Sequence, residues 1–190
     1  SDWSSDVWLF RSTGLTRYFS FCRNISKNRK EIAVSEFDRP KGVASALCYV
    51  DPNAAFRWLE EAFDFEPYMV LLDENDKIAH SEMSFGTGFI MVGSEWSENH
   101  KSPKNLGNKN TQTVHVQLGK SEDIDAHCER ARKAGAEILQ EPDTQFYGDR
   151  TYRARDPEGH IWTFGVTVLD LTAAEWDKAP GGTLRTQPRL

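Results

Sequence analysis

From Val43 onward the apolar residues fall into two alternating rhythms. The run Val43 to Val50 reads as a buried strand, and Asp51-Pro52 then supplies a capping carboxylate followed by a proline at the first helical position. Ala55, Phe56, Leu59, Ala62 and Phe63 recur at three- and four-residue spacing, which predicts a helix of about three turns with one apolar face. Strand-like runs follow at 68–73, 77–85 and 89–95, separated by Asp73-Glu74-Asn75-Asp76 and by Gly86-Thr87-Gly88.

After a polar stretch from Ser97 to Asn110 the same order returns. A strand over 113–118 precedes a helix capped by Ser121, with Glu122 and Asp123 in its first turn and Arg130, Arg132 and Lys133 before Gly135. Runs near 137–141, 150–155 and 160–168 complete the set, the last two joined by Asp156-Pro157-Glu158-Gly159, whose residue types predict a type I turn. Asp51 and Ser121 are 70 positions apart, and Gly88 and Gly159 are 71. This internal repeat predicts an α+β fold of two tandem βαβββ modules, 42–96 and 112–168, within a domain spanning 42–170.

The flanks carry less pattern. Residues 1–41 hold Trp3, Trp8, Phe10, Tyr18, Phe19 and Phe21 without sustained periodicity and read as an N-terminal arm of unassigned role. In 171–190, Thr172 and Glu175 have capping-box spacing around a short helix bearing Trp176, and Pro180-Gly181-Gly182 ends it.

Charge narrows the partners. The formal net charge is −6, but residues 1–41 hold eight Lys/Arg against five Asp/Glu, which leaves 15 against 24 and about −9 for the rest. That balance disfavours nucleic acid and suits cationic ligands. Cys22, Cys48 and Cys128 are odd in number and widely spaced, as expected of free thiols in a reducing compartment. No window approaches the run of about 18 apolar residues that a spanning helix needs, so we expect a cytoplasmic protein without a membrane partner.

The repeat, with Asp156-Pro157-Glu158-Gly159-His160 leading into the last strand and His115 in the fifth, resembles the vicinal oxygen chelate superfamily. His80-Ser81-Glu82-Met83, Gly86-Thr87-Gly88-Phe89-Ile90-Met91, and Tyr147-Gly148-Asp149-Arg150 with Tyr152 are similar to its glyoxalase/bleomycin-resistance branch. The resemblance covers about 42–168 and implies that each module curls its sheet into part of an open cleft that holds a ligand. It also implies a homodimer, because members of the superfamily commonly pair.

The same resemblance implies ligand positions in metal-dependent members, on the first and last strands of each repeat. Here His115 is the only position that matches. The repeat offset brings its counterpart to Ser45, the fourth-strand counterpart falls on Met91 or Val92, and Thr163 stands where a glutamate would. One imidazole with hydroxyls does not make a divalent-metal site, so no cofactor is expected, a divalent metal remaining the alternative.

Thr113, His115 and Gln117 alternate with Val114, Val116 and Leu118, which gives that strand one polar face, and Trp162 and Phe164 then belong under a helix. His115 fits both a hydrogen-bonded structural residue and a ligand or base. His80 and Glu82 share a strand face and fit either acid–base work or a simple surface pair. Tyr147, Arg150 and Tyr152 lie near a glycine-containing bend and suit either a polar aromatic ligand or the turn itself. Cys48 and Cys128 are expected to be buried and inert.

The set assigned to ligand binding is Met91, His115, Gln117, Arg150 and Tyr152. The leading expectation is metal-free binding of a small aromatic or cationic molecule in the cleft. The alternatives are a metal-dependent lyase, isomerase or dioxygenase, and an interaction module without a small-molecule site. Whether a reaction is catalysed stays open at this level.

Overall fold

The computed structural model describes residues 42–178, 186 and 187. The arm expected over 1–41, Cys22 within it, and the glycine stop near 181 lie outside these residues. The first module runs β1 (Ser45–Tyr49), α1 (Pro52–Phe63), β2 (Glu66–Leu72), β3 (Ile78–Phe85) and β4 (Gly88–Ser94). The second runs β5 (Val114–Gln117), α2 (Ile124–Lys133), β6 (Glu137–Thr144), β7 (Asp149–Arg155) and β8 (Ile161–Thr167), and α3 (Ala173–Trp176) follows.

Each module makes one open four-stranded sheet, in the orders β1-β4-β3-β2 and β5-β8-β7-β6. The first and last strands of each module pair in parallel and the other neighbours are antiparallel. This is the α+β architecture expected of two βαβββ units.

Local chemistry sets the helix ends. The Asp51 carboxylate accepts the Ala54 N–H at 3.0 Å and Pro52 opens the first turn, so α1 starts where the sequence places it. The second helix starts later than expected. Its cap is Asp123, whose carboxylate accepts the Ala126 N–H at 3.0 Å. Ser121 and Glu122 instead belong to the preceding turn, in which Glu122 N–H donates to the Gly119 carbonyl at 2.9 Å and the Glu122 side chain accepts the Gly119 N–H at 3.1 Å.

That shift changes the repeat. Leu47 pairs with Val92 in the first sheet and Val116 with Phe164 in the second. The offset is therefore 69 on the opening strands and 72 on the closing strands, and Asp51 to Asp123 is also 72. The three additional residues lie between β5 and α2, so the counterpart of His115 is Ala46 and not Ser45. Ser45 pairs with Ile90, a core residue, whereas Ala46 pairs with Met91 on the other face.

The helix-covered faces share one core. Phe63, fully buried at the end of α1, packs 4.7 Å from Phe164 and 5.2 Å from Trp162 in the second sheet, ring centre to ring centre. The Trp58 indole donates to the Ala134 carbonyl at 2.7 Å and fixes α1 beside the end of α2. Truncating Phe63 to alanine would open a void across both modules, a change that costs about 3–5 kcal/mol in comparable cores.

A polar clasp joins the modules at the β7–β8 turn. Gly159 N–H donates to the Asp156 carbonyl at 3.0 Å, as a type I turn requires, and Gly159 stands at φ 96°, where only glycine is relaxed. The Asp156 carboxylate accepts the Tyr49 hydroxyl at 2.8 Å and the Trp162 indole at 3.1 Å. Glu158 accepts the backbone N–H groups of Val50 and Asp51 at 2.6 and 2.9 Å and the Ser102 hydroxyl at 2.7 Å. Burial nevertheless pushes the Asp156 carboxyl above its ordinary range.

Candidate functional site

Side-chain alternation makes the second sheet two-sided. Val116, Trp162, Phe164, Tyr152 and Ala154 are buried under the helices. The opposite face carries His115, paired across β5 and β8 with Thr163, which pairs in turn with Arg153 on β7 and through it with Gln140 on β6. The next row on that face is Gln117, Gly165 and Thr151. A single chain leaves His115, Gln117 and Arg153 exposed.

Gly165 leaves a shallow hollow in this face that its neighbours already fill. A β-carbon there would stand 3.3 Å from the Thr151 methyl, 3.5 Å from Gln117 Oε1 and 3.6 Å from His115 Cε1. Three side chains thus lean over a position that has none. The His115 ring lies 3.4 Å from Gln117 Oε1, and the Gln117 amide donates to Thr167 at 3.5 Å. In that arrangement His115 Nε2 donates toward Gln117 Oε1. The Arg153 guanidinium donates through Nε to the Thr163 hydroxyl at 3.3 Å.

A groove of about 1110 Å³ approaches this face from the free edge of β5, bounded by the β3–β4 hairpin, the first half of α2 and Arg130. It reaches His115 and Gln117 but stops short of Thr163 and Arg153, which lie on the unroofed floor of the sheet.

The five residues assigned from the sequence do not come together. His115 and Gln117 share the hollow. Met91 lies in the other sheet, between Ala46 and Glu82 on the face opposite Val92. Arg150 and Tyr152 lie on the helix-covered side of β7. Arg150 pairs with Val166 and forks onto Asp125 of α2 at 2.7 and 2.9 Å, which holds the Asp125 carboxyl below its usual range. Tyr152 is fully buried opposite Phe164, and its hydroxyl meets His127 Nδ1 at 2.6 Å.

Parity along β7 separates them: Thr151 and Arg153 face the hollow, Arg150 and Tyr152 the helices. Tyr147 packs against Phe146 and Trp176, ring to ring, so the bend is held by its own aromatics. In the first sheet, His80 Nε2 and Glu82 Oε1 lie 3.3 Å apart, with Glu82 buried and His80 partly exposed. Cys48 and Cys128 are buried free thiols whose pKa values burial pushes up to about 11.

The model of the Glyoxalase/Bleomycin resistance protein/Dioxygenase superfamily matches residues 43–164. The chain belongs to this superfamily. The uncharacterized protein Mb0911c of Mycobacterium bovis is 26% identical over 129 residues, which are 66% of this chain and 82% of that protein. The crystal structure of TioX from Micromonospora sp. ML1 is similar at 29% identity with a TM-score of 0.53, over 70% of this chain and all of that one. The fosfomycin resistance protein FosX of Listeria monocytogenes, solved with Mn(II) and sulfate, shares the fold at 17% identity and a TM-score of 0.50, over 73% of this chain and 97% of that one.

The resemblance implies metal-ligand positions on the first and last strands of each module in metal-dependent members, and by register these are Ala46, Met91, His115 and Thr163. Ala46 pairs with Met91 as His115 pairs with Thr163. A methyl group, a thioether, one imidazole and a hydroxyl do not supply the donors of a divalent metal. Among the described residues no group of three or more His, Cys, Asp or Glu converges on a common point, and no helix is long and apolar enough to cross a membrane.

Proposed function

We propose that this superfamily member binds a small organic molecule on the open face of its second sheet without a metal ion. The observation that carries the proposal is the groove of about 1110 Å³ that reaches His115 and Gln117 at the edge of this face. A polar row of His115, Thr163 and Arg153 continues from it across the sheet. A concave site with few convergent polar groups is what ligand pockets share. The donor set at Ala46, Met91, His115 and Thr163 supports the metal-free form. A two-fold partner would roof a face that a single chain leaves exposed, and sheets with uncovered polar faces and open edges commonly close in that way.

A thermal-shift screen of small aromatic compounds, repeated on His115→Ala and Gly165→Ala, tests the site. The first change removes an imidazole that lines the groove, and the second presses on the Thr151, Gln117 and His115 side chains over Gly165. A compound in hundredfold excess over its dissociation constant raises stability by about 2.7 kcal/mol, which gives a measurable shift. Shifts that both variants abolish support the site; shifts that survive in both place binding elsewhere.

A further inference from the structure

Resting on that reading of the cleft, we infer that its ligand carries a carboxylate and that Arg153 receives it. Arg130, Arg132, Arg150 and Arg155 each engage a carboxylate, namely Asp64, Glu129 with Glu141, Asp125 and Glu137. Arg153 engages none among the described residues. Its one partner is the Thr163 hydroxyl, which takes Nε and leaves Nη1 and Nη2 as a forked pair of donors. Glu137, also on β6–β7, is already held by Arg155 at 2.6 Å.

The position of this guanidinium matters as much as its freedom. Arg153 stands in register with Thr163 and His115, its backbone two strand spacings or about 10 Å across the sheet from that of His115. A molecule that reaches from the His115 end of the groove across this face therefore meets a cation at Arg153. A fork of two parallel N–H donors matches a planar carboxylate and gives a neutral or cationic group nothing comparable. The net acidic charge of the chain suits a cation, but Arg153 in this row opposes one.

The test uses matched acids, amides and amines on phenyl, indole and alkyl scaffolds, beginning with benzoate, benzamide and benzylamine. Binding is followed at the Arg153 Nε–H, His115 ring and Gly165 amide resonances of the full chain. We expect the acids to bind about tenfold or more tightly than their amides, and Arg153→Gln to remove that advantage, so that an acid and its amide bind alike. Arg153→Lys should restore only part of it, because the charge returns without the fork. Should Arg153→Gln fail to fold, Thr163→Val, which frees Nε and loosens the fork, is expected to weaken acid binding selectively. Amides or amines that bind as well as acids, or acid binding indifferent to both variants, would overturn this inference and leave the cleft intact. If no scaffold in any charge form moves the His115 and Gly165 resonances, the cleft falls and this inference with it.

Discussion

Tyr152 donates its hydroxyl proton to His127 Nδ1 across 2.6 Å, deep under the helices of the second module. The Phe63 carbonyl lies 3.3 Å from Nε2 and can only accept, so the imidazole is neutral with its proton on Nε2. Desolvation, with the Arg130 charge nearby, lowers the His127 pKa from 6.5 to about 4. The same burial pushes the Tyr152 hydroxyl well above its ordinary value, and the pair is a neutral structural bridge.

A pH dependence follows from His127. The unfolded chain takes up its proton near 6.5 and the folded chain only near 4. Stability from this group is therefore complete above 6.5 and is lost as pH falls through that window, by up to about 3 kcal/mol. Asp156, with its raised carboxyl, acts in the opposite sense, since its contribution declines as pH rises. Urea unfolding of the wild type and of His127→Gln, compared from neutral pH to pH about 4, isolates the histidine: the variant should be less stable near neutrality and flatter toward acid. Equal slopes would exclude this origin.

Glu158 should prove to be the residue on which attachment of the two modules depends. Removing its carboxylate leaves two backbone N–H groups and the Ser102 hydroxyl without their acceptor. Glu158→Ala is expected to cost about 3 kcal/mol or more, and Ser102→Ala about 1 kcal/mol. Denaturant titration measures both. A loss below that of Ser102→Ala would mean that water replaces the carboxylate without penalty.

Self-association is the third expectation. The open faces and free edges of both sheets favour a homodimer, for which light scattering should report twice the 21.6 kDa of one chain. A single-chain mass across the micromolar range would contradict it.

Metal analysis of protein purified without chelator should find no stoichiometric zinc, nickel, iron or manganese. The expectation rests on Ala46, Met91 and Thr163 standing beside His115 where donors would be needed. A metal present at one equivalent and lost in His115→Ala would reverse it.

The order of elements was legible because local chemistry announces it. Pro52 after Asp51, the period of the apolar residues in α1 and the Asp156–Gly159 turn each depend on neighbours in sequence. The site was less legible because it depends on register. Closeness in sequence to a bend groups Arg150 and Tyr152 with His115, but a strand sends neighbours to opposite faces. The turn does carry a signal for Arg153. Three residues back from Asp156 and three on from His160 are Arg153 and Thr163, and the structure pairs them. The misplaced counterpart Ser45 has a similar cause, since no periodicity reveals three residues added to a polar connection.

The pairs Ala46–Met91 and His115–Thr163 occupy equivalent places in the two repeats. A tandem duplication with the same donors in both copies would accept a ligand and its end-for-end reversal alike. Here one copy presents a methyl and a thioether, the other an imidazole and a hydroxyl. That degeneracy is gone, and a molecule touching both surfaces would have one favoured orientation.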